Sequence, residues 1–198
     1  MYRYILASAS PRRSELLSQV GIQFQVIKSD IEEIITNIEP DQVVIELSRQ
    51  KVQDVYDNLV DKDNVVVIGA DTIVYNDTKI IGKPKDENEA FEMLSGLSGK
   101  SHYVYTGVTL NINGEIISFA EKTRVDVYSM TQNQILEYIK TKEPIDKAGA
   151  YAIQGLFAAY IKGIEGDYNN VVGLPVGRIC QELKNRKLMW FLLFQPWY

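Results

Sequence analysis

The sequence predicts an α/β fold, a mixed sheet flanked by helices, in one domain spanning residues 1–198. Three observations predict it. The run Val65-Val66-Val67-Ile68-Gly69-Ala70 is continuously apolar and β-branched, as expected of a strand covered on both faces. The apolar stretches 103–112 and 115–128 are joined by Asn113-Gly114, a two-residue hairpin signal that demands antiparallel pairing. Helical patterns interleave with these strands, so helices are available to cover the sheet.

The elements follow in order. Tyr4-Ile5-Leu6 reads as a first strand, and Leu16, Leu17 and Val20 give an apolar helix face over 14–20. Pro11 suits the first turn of that helix, where its missing N–H costs nothing, and Gly21 suits the position after its end. Residues 23–28 alternate loosely as a second strand, and the acidic stretch 30–37 is irregular. Pro40 opens a helix over 41–59, with Val43, Val44, Leu47, Val52 and Val55 near helical spacing. The 65–70 strand ends with Asp71 just beyond it, and 73–75 with 79–81 form a hairpin around Asn76-Asp77. Asp86 with Glu89 resembles a capping box for a helix that Gly96 and Gly99 stop. Thr131 caps a helix to about Lys140, and Pro175 starts the last helix, to about Arg186. Between these, 157–161 is a short apolar run and 166–173 a polar loop.

Composition narrows the function. The formal net charge of -5 argues against broad binding of nucleic acid or of an anionic membrane, but not against a local basic pocket. Cys180 is the single cysteine, so no intramolecular disulfide exists and a reducing, cytoplasmic setting is natural. No stretch approaches the roughly 18 to 20 apolar residues of a membrane span, and the apolar tail 187–198 reads as core or interface packing. His102 is the single histidine, which excludes a Cys/His zinc cluster and leaves a structural role for that residue. Neither G-x-S-x-G nor G-x-x-x-x-G-K-[ST] occurs, so a serine hydrolase and a P-loop enzyme both fit poorly.

Five stretches are candidates for chemistry, the polar loop 166–175 among them as a pocket wall or as an ordered structural loop. Ser8, Ser10, Arg12 and Arg13 lie at a strand-to-helix junction, where free N–H groups, the helix dipole and two guanidinium groups favour phosphate, or else form a solvated helix cap with two surface arginines. Asp71, beyond a buried strand, can bind Mg²⁺ or Mn²⁺, orient a water, or merely cap a turn. Lys83, between Gly82 and Pro84, is a positioned point charge or a surface lysine in a turn. Gln154 can read the edge of a base, since its amide donates and accepts, or sit outside a structural turn.

Taken in order, these motifs resemble the Maf family of nucleoside triphosphate pyrophosphatases. The likeness runs from Leu6 to about Pro175 through Ser8-Ala9-Ser10-Pro11-Arg12-Arg13, Gly69-Ala70-Asp71-Thr72, Gly82-Lys83-Pro84, His102-Tyr103-Val104-Tyr105-Thr106-Gly107-Val108, Asp146-Lys147-Ala148-Gly149-Ala150-Tyr151 and Gly166-Asp167-Tyr168-Asn169-Asn170-Val171-Val172-Gly173-Leu174-Pro175. The resemblance implies a long, twisted mixed sheet in two lobes around a cleft, similar to inosine triphosphate pyrophosphatases. It implies hydrolysis between the α- and β-phosphates of dTTP and UTP, with Mg²⁺ or Mn²⁺, by a cytoplasmic enzyme of a kind that is often a homodimer; a middle reading has the same chemistry act mainly on modified pyrimidine nucleotides. The residues it implies are Asp71 as the proton acceptor, Ser8, Arg13, Lys51 and Lys83 on the phosphates, and Glu33 with Asp71 on the metal. Arg12, Thr72 and Gln154 take the positions that set base preference. Ser48 and Val52 depart from the alanines usual in the family, and Glu32 beside Glu33 is a second candidate for the metal side. The reading from a different class is a non-catalytic, nucleotide-sensing regulator of septum formation and cell division.

Overall fold

The computed structural model describes residues 2–76 and 78–188. The elements are β1 (Arg3–Leu6), α1 (Pro11–Gln19), β2 (Phe24–Val26), α2 (Pro40–Asp57), β3 (Val65–Tyr75), β4 (Ile80–Ile81), α3 (Glu87–Leu97), β5 (Ser101–Ile112), β6 (Glu115–Val127), α4 (Gln132–Lys140), β7 (Ile161–Glu165), α5 (Tyr168–Val172) and α6 (Val176–Asn185). Among the described residues they build a seven-stranded sheet in the order β2-β1-β3-β5-β6-β7, with β4 paired to β3. β1 runs parallel to β2 and β3, and the remaining pairs are antiparallel, so the sheet is mixed.

Alternation along β3 explains the two covered faces. Val65 and Val67 pack with Ile5, Ala7, Val52 and Val55 beneath α2. Val66, Ile68, Ala70 and Val74 point the other way, into a larger core with Leu17, Leu94, Phe157 and Ile179. Successive strand side chains face opposite sides, so one apolar run fills both cores.

Two glycines let α2 lie close on the sheet. A Cβ on Gly107 would come within 2.2 Å of the Val44 carbonyl oxygen, and one on Gly69 within 2.5 Å of Val52 Cγ2. Ser48 meets the sheet here as well. Its buried hydroxyl lies 2.8 Å from Thr109 Oγ1, which is 2.9 Å from Ser118 Oγ. The serine that stands where the family usually has alanine is therefore satisfied: its hydroxyl donates to the Ile45 carbonyl at 2.9 Å and accepts from Thr109 on β5.

The structure departs from the expectations at several points. β3 does not stop before Asp71 but continues to Tyr75, because β5 pairs with it from Val66 to Tyr75. On its other side β1 ends at Leu6, opposite Ile68, so Asp71 lies inside one strand yet beyond the end of its parallel neighbour. Gly96 lies within α3, and Gly99, at φ +70°, is the glycine that ends that stretch. Residues 156–165 form a 3-10 turn and then edge strand β7, and part of the polar loop is the short helix α5, capped where Asp167 accepts from Asn169 N–H at 2.8 Å. Asn113 and Gly114 both have positive φ, +51° and +97°, as the hairpin turn requires. The β3–β4 pairing agrees with the expected hairpin, although Asp77 lies outside the described residues. So does 189–198, most of the tail read as packing. Among the described residues, no helix is long and apolar enough to cross a membrane.

Candidate active site

The site forms where β1 ends and β3 continues. Beyond Leu6 the chain turns through Ser8 and Ser10 into α1, with Pro11 as the first helical residue. Ser8 Oγ accepts from the Ser10 N–H and from Arg13 Nη1, both at 3.2 Å. A cleft of about 580 Å³ opens here, and its cationic lining is Arg12, Arg13, Lys28, Lys51, Lys83 and Lys147. The chain is acidic overall, yet this one cavity gathers six positive side chains, a concentration suited to a multiply charged anion. Lys147 pairs with Asp146, the carboxylate in the same lining.

Three groups meet on the α2 side. Lys51 Nζ donates to Asp71 Oδ1 at 2.5 Å and lies 2.9 Å from Glu33 Oε1. Lys51 and Asp71 are mostly shielded, with side-chain exposures of 17% and 15%, so this pair is screened far less than a surface pair. Glu33 reaches it from an irregular strap held along α2. Gln50 accepts from the Ile34 N–H at 3.0 Å, and Glu46 accepts from the Thr36 hydroxyl at 2.5 Å and its N–H at 3.0 Å. Those bonds favour the charged form and hold the Glu46 carboxyl down to about 2. Glu33, not Glu32, is therefore the carboxylate that joins Lys51.

Arg13 stands on the opposite face of β3. Its Nε donates to the Gly173 carbonyl at 2.9 Å and its Nη2 to Thr72 Oγ1 at 3.1 Å. Burial lowers its pKa from the ordinary value, Asp71 opposes that, and it stays a cation. Thr72 is half-buried behind it and touches Thr106 Oγ1 at 2.9 Å.

The structure thus brings together Ser8, Arg12, Arg13, Lys51 and Lys83 on one cleft, with Asp71 and Glu33 tied to Lys51 and Thr72 tied to Arg13. Gln154 is exposed, and neither it nor Asp71, Glu33 or Thr72 is among the residues that line the cleft; Asp71 and Glu33 reach it through Lys51, and Thr72 through Arg13. Lys28 and Lys147 also line the cleft, and the sequence alone does not single out either. Lys28 lies two residues past the end of β2, and that strand's parallel pairing with β1 carries it to the Ser8 turn, which spacing along the chain does not reveal. His102 is buried on β5, with Nε2 2.7 Å from Tyr151 Oη, outside the cleft lining and consistent with a structural role.

Among the described residues, no group of three or more His, Cys, Asp or Glu side chains is arranged to hold a metal alone. The donor set is two carboxylates converging on one cation, Lys51. That fits Mg²⁺ or Mn²⁺, which take one or two carboxylates and complete their shell with water and substrate phosphate.

Comparison with known proteins places the chain. The model of the family described as Maf-like protein matches residues 3–186. A protein of Agathobacter rectalis named dTTP/UTP pyrophosphatase is 53% identical, over 93% of this chain and 97% of its own length. One of the same name from Lachnoclostridium phytofermentans is 51% identical, over 93% and 95%. Among solved structures, the Staphylococcus aureus Ham1 protein is similar over 63% of this chain and 71% of its own, at 14% identity and a TM-score of 0.45. A family match over residues 3–186 and relatives at about half identity leave one assignment: the chain belongs to the Maf-like protein family.

Proposed function

We propose that this chain is a nucleoside triphosphate pyrophosphatase that hydrolyses dTTP and UTP to the monophosphate and pyrophosphate. The relatives' names support the substrates. The observation that carries the chemistry is Lys51, held by Asp71 and Glu33 beside the cationic cleft.

In this reading the triphosphate lies along Ser8, Arg13, Lys51 and Lys83, which neutralise its charge and stabilise what develops on the departing pyrophosphate. Asp71 aligns the attacking water and takes its proton. Asp71 and Glu33 would hold Mg²⁺ or Mn²⁺, which supplies Lewis-acid polarisation of the phosphate oxygens. Lys51 holds both carboxylates in place until substrate binds. Arg12, Thr72 and Gln154 face the base, and Gln154 would come to it from its exposed turn. Discrimination there is steep, because a wrong base leaves buried polar groups unpaired. The enzyme is cytoplasmic in this reading, acts as one domain, and forms a homodimer. A regulator that only senses nucleotides has no use for a carboxylate positioned as Asp71 is.

The test is pyrophosphate release from a panel of dTTP, UTP, CTP, GTP and ATP with Mg²⁺ or Mn²⁺. Release greatest from dTTP and UTP supports the reading. Release greatest from another base overturns the substrate assignment, and no release from any overturns the activity.

A further inference from the structure

The hydroxyl of Thr72 has its direction fixed by a chain of hydrogen bonds that leads away from the cleft. Thr106, on the neighbouring strand β5, places its Oγ1 2.9 Å from the main-chain carbonyl of Asn170. A carbonyl only accepts, so the single hydroxyl hydrogen of Thr106 is spent there. Thr106 Oγ1 is also 2.9 Å from Thr72 Oγ1, and in that contact it has only a lone pair to offer. Thr72 must therefore donate to Thr106. Arg13 Nη2, which has no lone pair, donates to Thr72 Oγ1 at 3.1 Å. The order is Arg13 to Thr72 to Thr106 to Asn170, and every proton in it is assigned by the chemistry of its two ends.

The end of the chain is held firmly. Asn170 is fully buried, and its Nδ2 donates to the Val104 carbonyl at 3.1 Å and to Thr123 Oγ1 at 2.9 Å. Thr106 itself is fully buried on β5, so water does not compete for its hydroxyl. Consecutive bonds of this kind polarise and strengthen one another.

We infer that Thr106 is a positioning residue that makes Thr72 an acceptor only, so that Thr72 reads the N3–H of thymine or uracil. This rests on the reading above in which Thr72 faces the base. With its hydrogen committed to Thr106 and one lone pair to Arg13, Thr72 has one lone pair left for a ligand. Thymine and uracil carry one ring N–H on their pairing edge, at N3, flanked by two carbonyls that need donors. An acceptor-only hydroxyl satisfies that N–H and neither carbonyl. Cytosine presents a lone pair at N3, which meets the lone pair of Thr72 and is repelled. The carbonyls O2 and O4 are left to donors, of which the Gln154 amide is one.

The experiment compares kcat/KM for UTP, CTP and N3-methyl-UTP in the wild type and in Thr106→Val, Thr106→Ser and Thr72→Val. Valine matches threonine in shape but accepts no bond from Thr72, so in Thr106→Val the Thr72 hydroxyl is free to turn and donate. The UTP-to-CTP ratio then falls at least about tenfold, the scale of one mispaired buried group. Thr106→Ser keeps the hydroxyl and restores the wild-type ratio. A merely structural role would lower both substrates equally and leave the ratio alone, so a constant ratio in folded Thr106→Val overturns the inference. If Thr106→Val does not fold, Thr106→Ala, which removes the same hydroxyl without the branched side chain, takes its place with the same two outcomes, and the wild type tests the N3–H contact separately. N3-methyl-UTP, which lacks the N–H, is hydrolysed at least about tenfold less efficiently than UTP, and equal efficiency overturns the inference. A ratio unchanged in Thr72→Val shows instead that Thr72 does not read the base, and both this inference and that part of the functional reading fall. A ratio lost in Thr72→Val but kept in Thr106→Val leaves the reading standing and removes only the role of Thr106.

Discussion

His102 ties stability to pH with a sign and size that follow from its surroundings. It is fully buried on β5, Nε2 lies 2.7 Å from Tyr151 Oη, and its Nδ1 has no hydrogen-bond partner. Burial penalises the imidazolium and pulls the pKa from 6.5 to about 4, with Asp126 a weaker opposing influence. The fold therefore holds the neutral ring, while the unfolded chain takes up a proton once the pH drops below 6.5. The contribution is complete above 6.5, is lost as pH falls from there to about 4, and is flat below. At about 1.36 kcal/mol per pH unit, the whole loss is about 3.4 kcal/mol, and about 2 kcal/mol of it is gone by pH 5. Because the chain has one histidine, its ring gives one set of NMR signals, which can be followed from pH 7.5 to 4.5 without assignment. Urea unfolding at pH 7 and pH 5 gives the energy, and the same pair of measurements on His102→Gln subtracts what the carboxylates contribute. A ring that titrates near 6.5 in the folded protein, or an equal loss of stability in both proteins between the two pH values, rules out burial of His102 as the source of the pH dependence.

The remaining predictions concern the site and its supports. Asp71→Asn lowers kcat at least about a hundredfold while circular dichroism stays native, as expected when a positioned base or ligand is lost. Lys51→Met removes the cation between Asp71 and Glu33, and kcat/KM for UTP falls about 10- to 100-fold, the worth of a charge-assisted bond to a shielded group; unchanged efficiency removes Lys51 from the phosphate site. Glu46→Gln loosens the strap that carries Glu33, so the amides of Thr36 and Asn37 exchange hydrogen faster while those of β3 do not. Gly107→Ala pushes a methyl into the Val44 backbone and lowers unfolding free energy by about 3 kcal/mol or more, read by urea denaturation.

Local signals in the sequence carry most of this fold. The β-branched run at Val65, the Asn113-Gly114 turn, Thr131 as a cap and Pro11 at a helix start are each decided within a few residues, and each appears where expected. What sequence does not reveal depends on partners far along the chain. β3 continues through Asp71 because β5 pairs with it there, and nothing near residue 71 encodes that neighbour. The segment 161–165 becomes a strand because β6 offers it an edge. The cleft divides the same way. Ser8, Arg12 and Arg13 are legible at a strand-to-helix junction, whereas Lys51 and Glu33 stand out only through family resemblance, since a lysine on a helix and a glutamate in an acidic loop are ordinary until α2 and the strap bring them to Asp71. Lys28 and Lys147 need the assembled sheet as well.

In the proposed mechanism Asp71 delivers water to the α-phosphorus of a pyrimidine nucleoside triphosphate. Hydrolysis of UTP in ¹⁸O-labelled water, with products separated and weighed by mass spectrometry, tests it most directly. Attack at the α-phosphorus gives UMP carrying one ¹⁸O and unlabelled pyrophosphate, and Asp71→Asn forms neither product at a comparable rate. Label in the pyrophosphate, release of UDP with inorganic phosphate, or undiminished turnover in Asp71→Asn would contradict it.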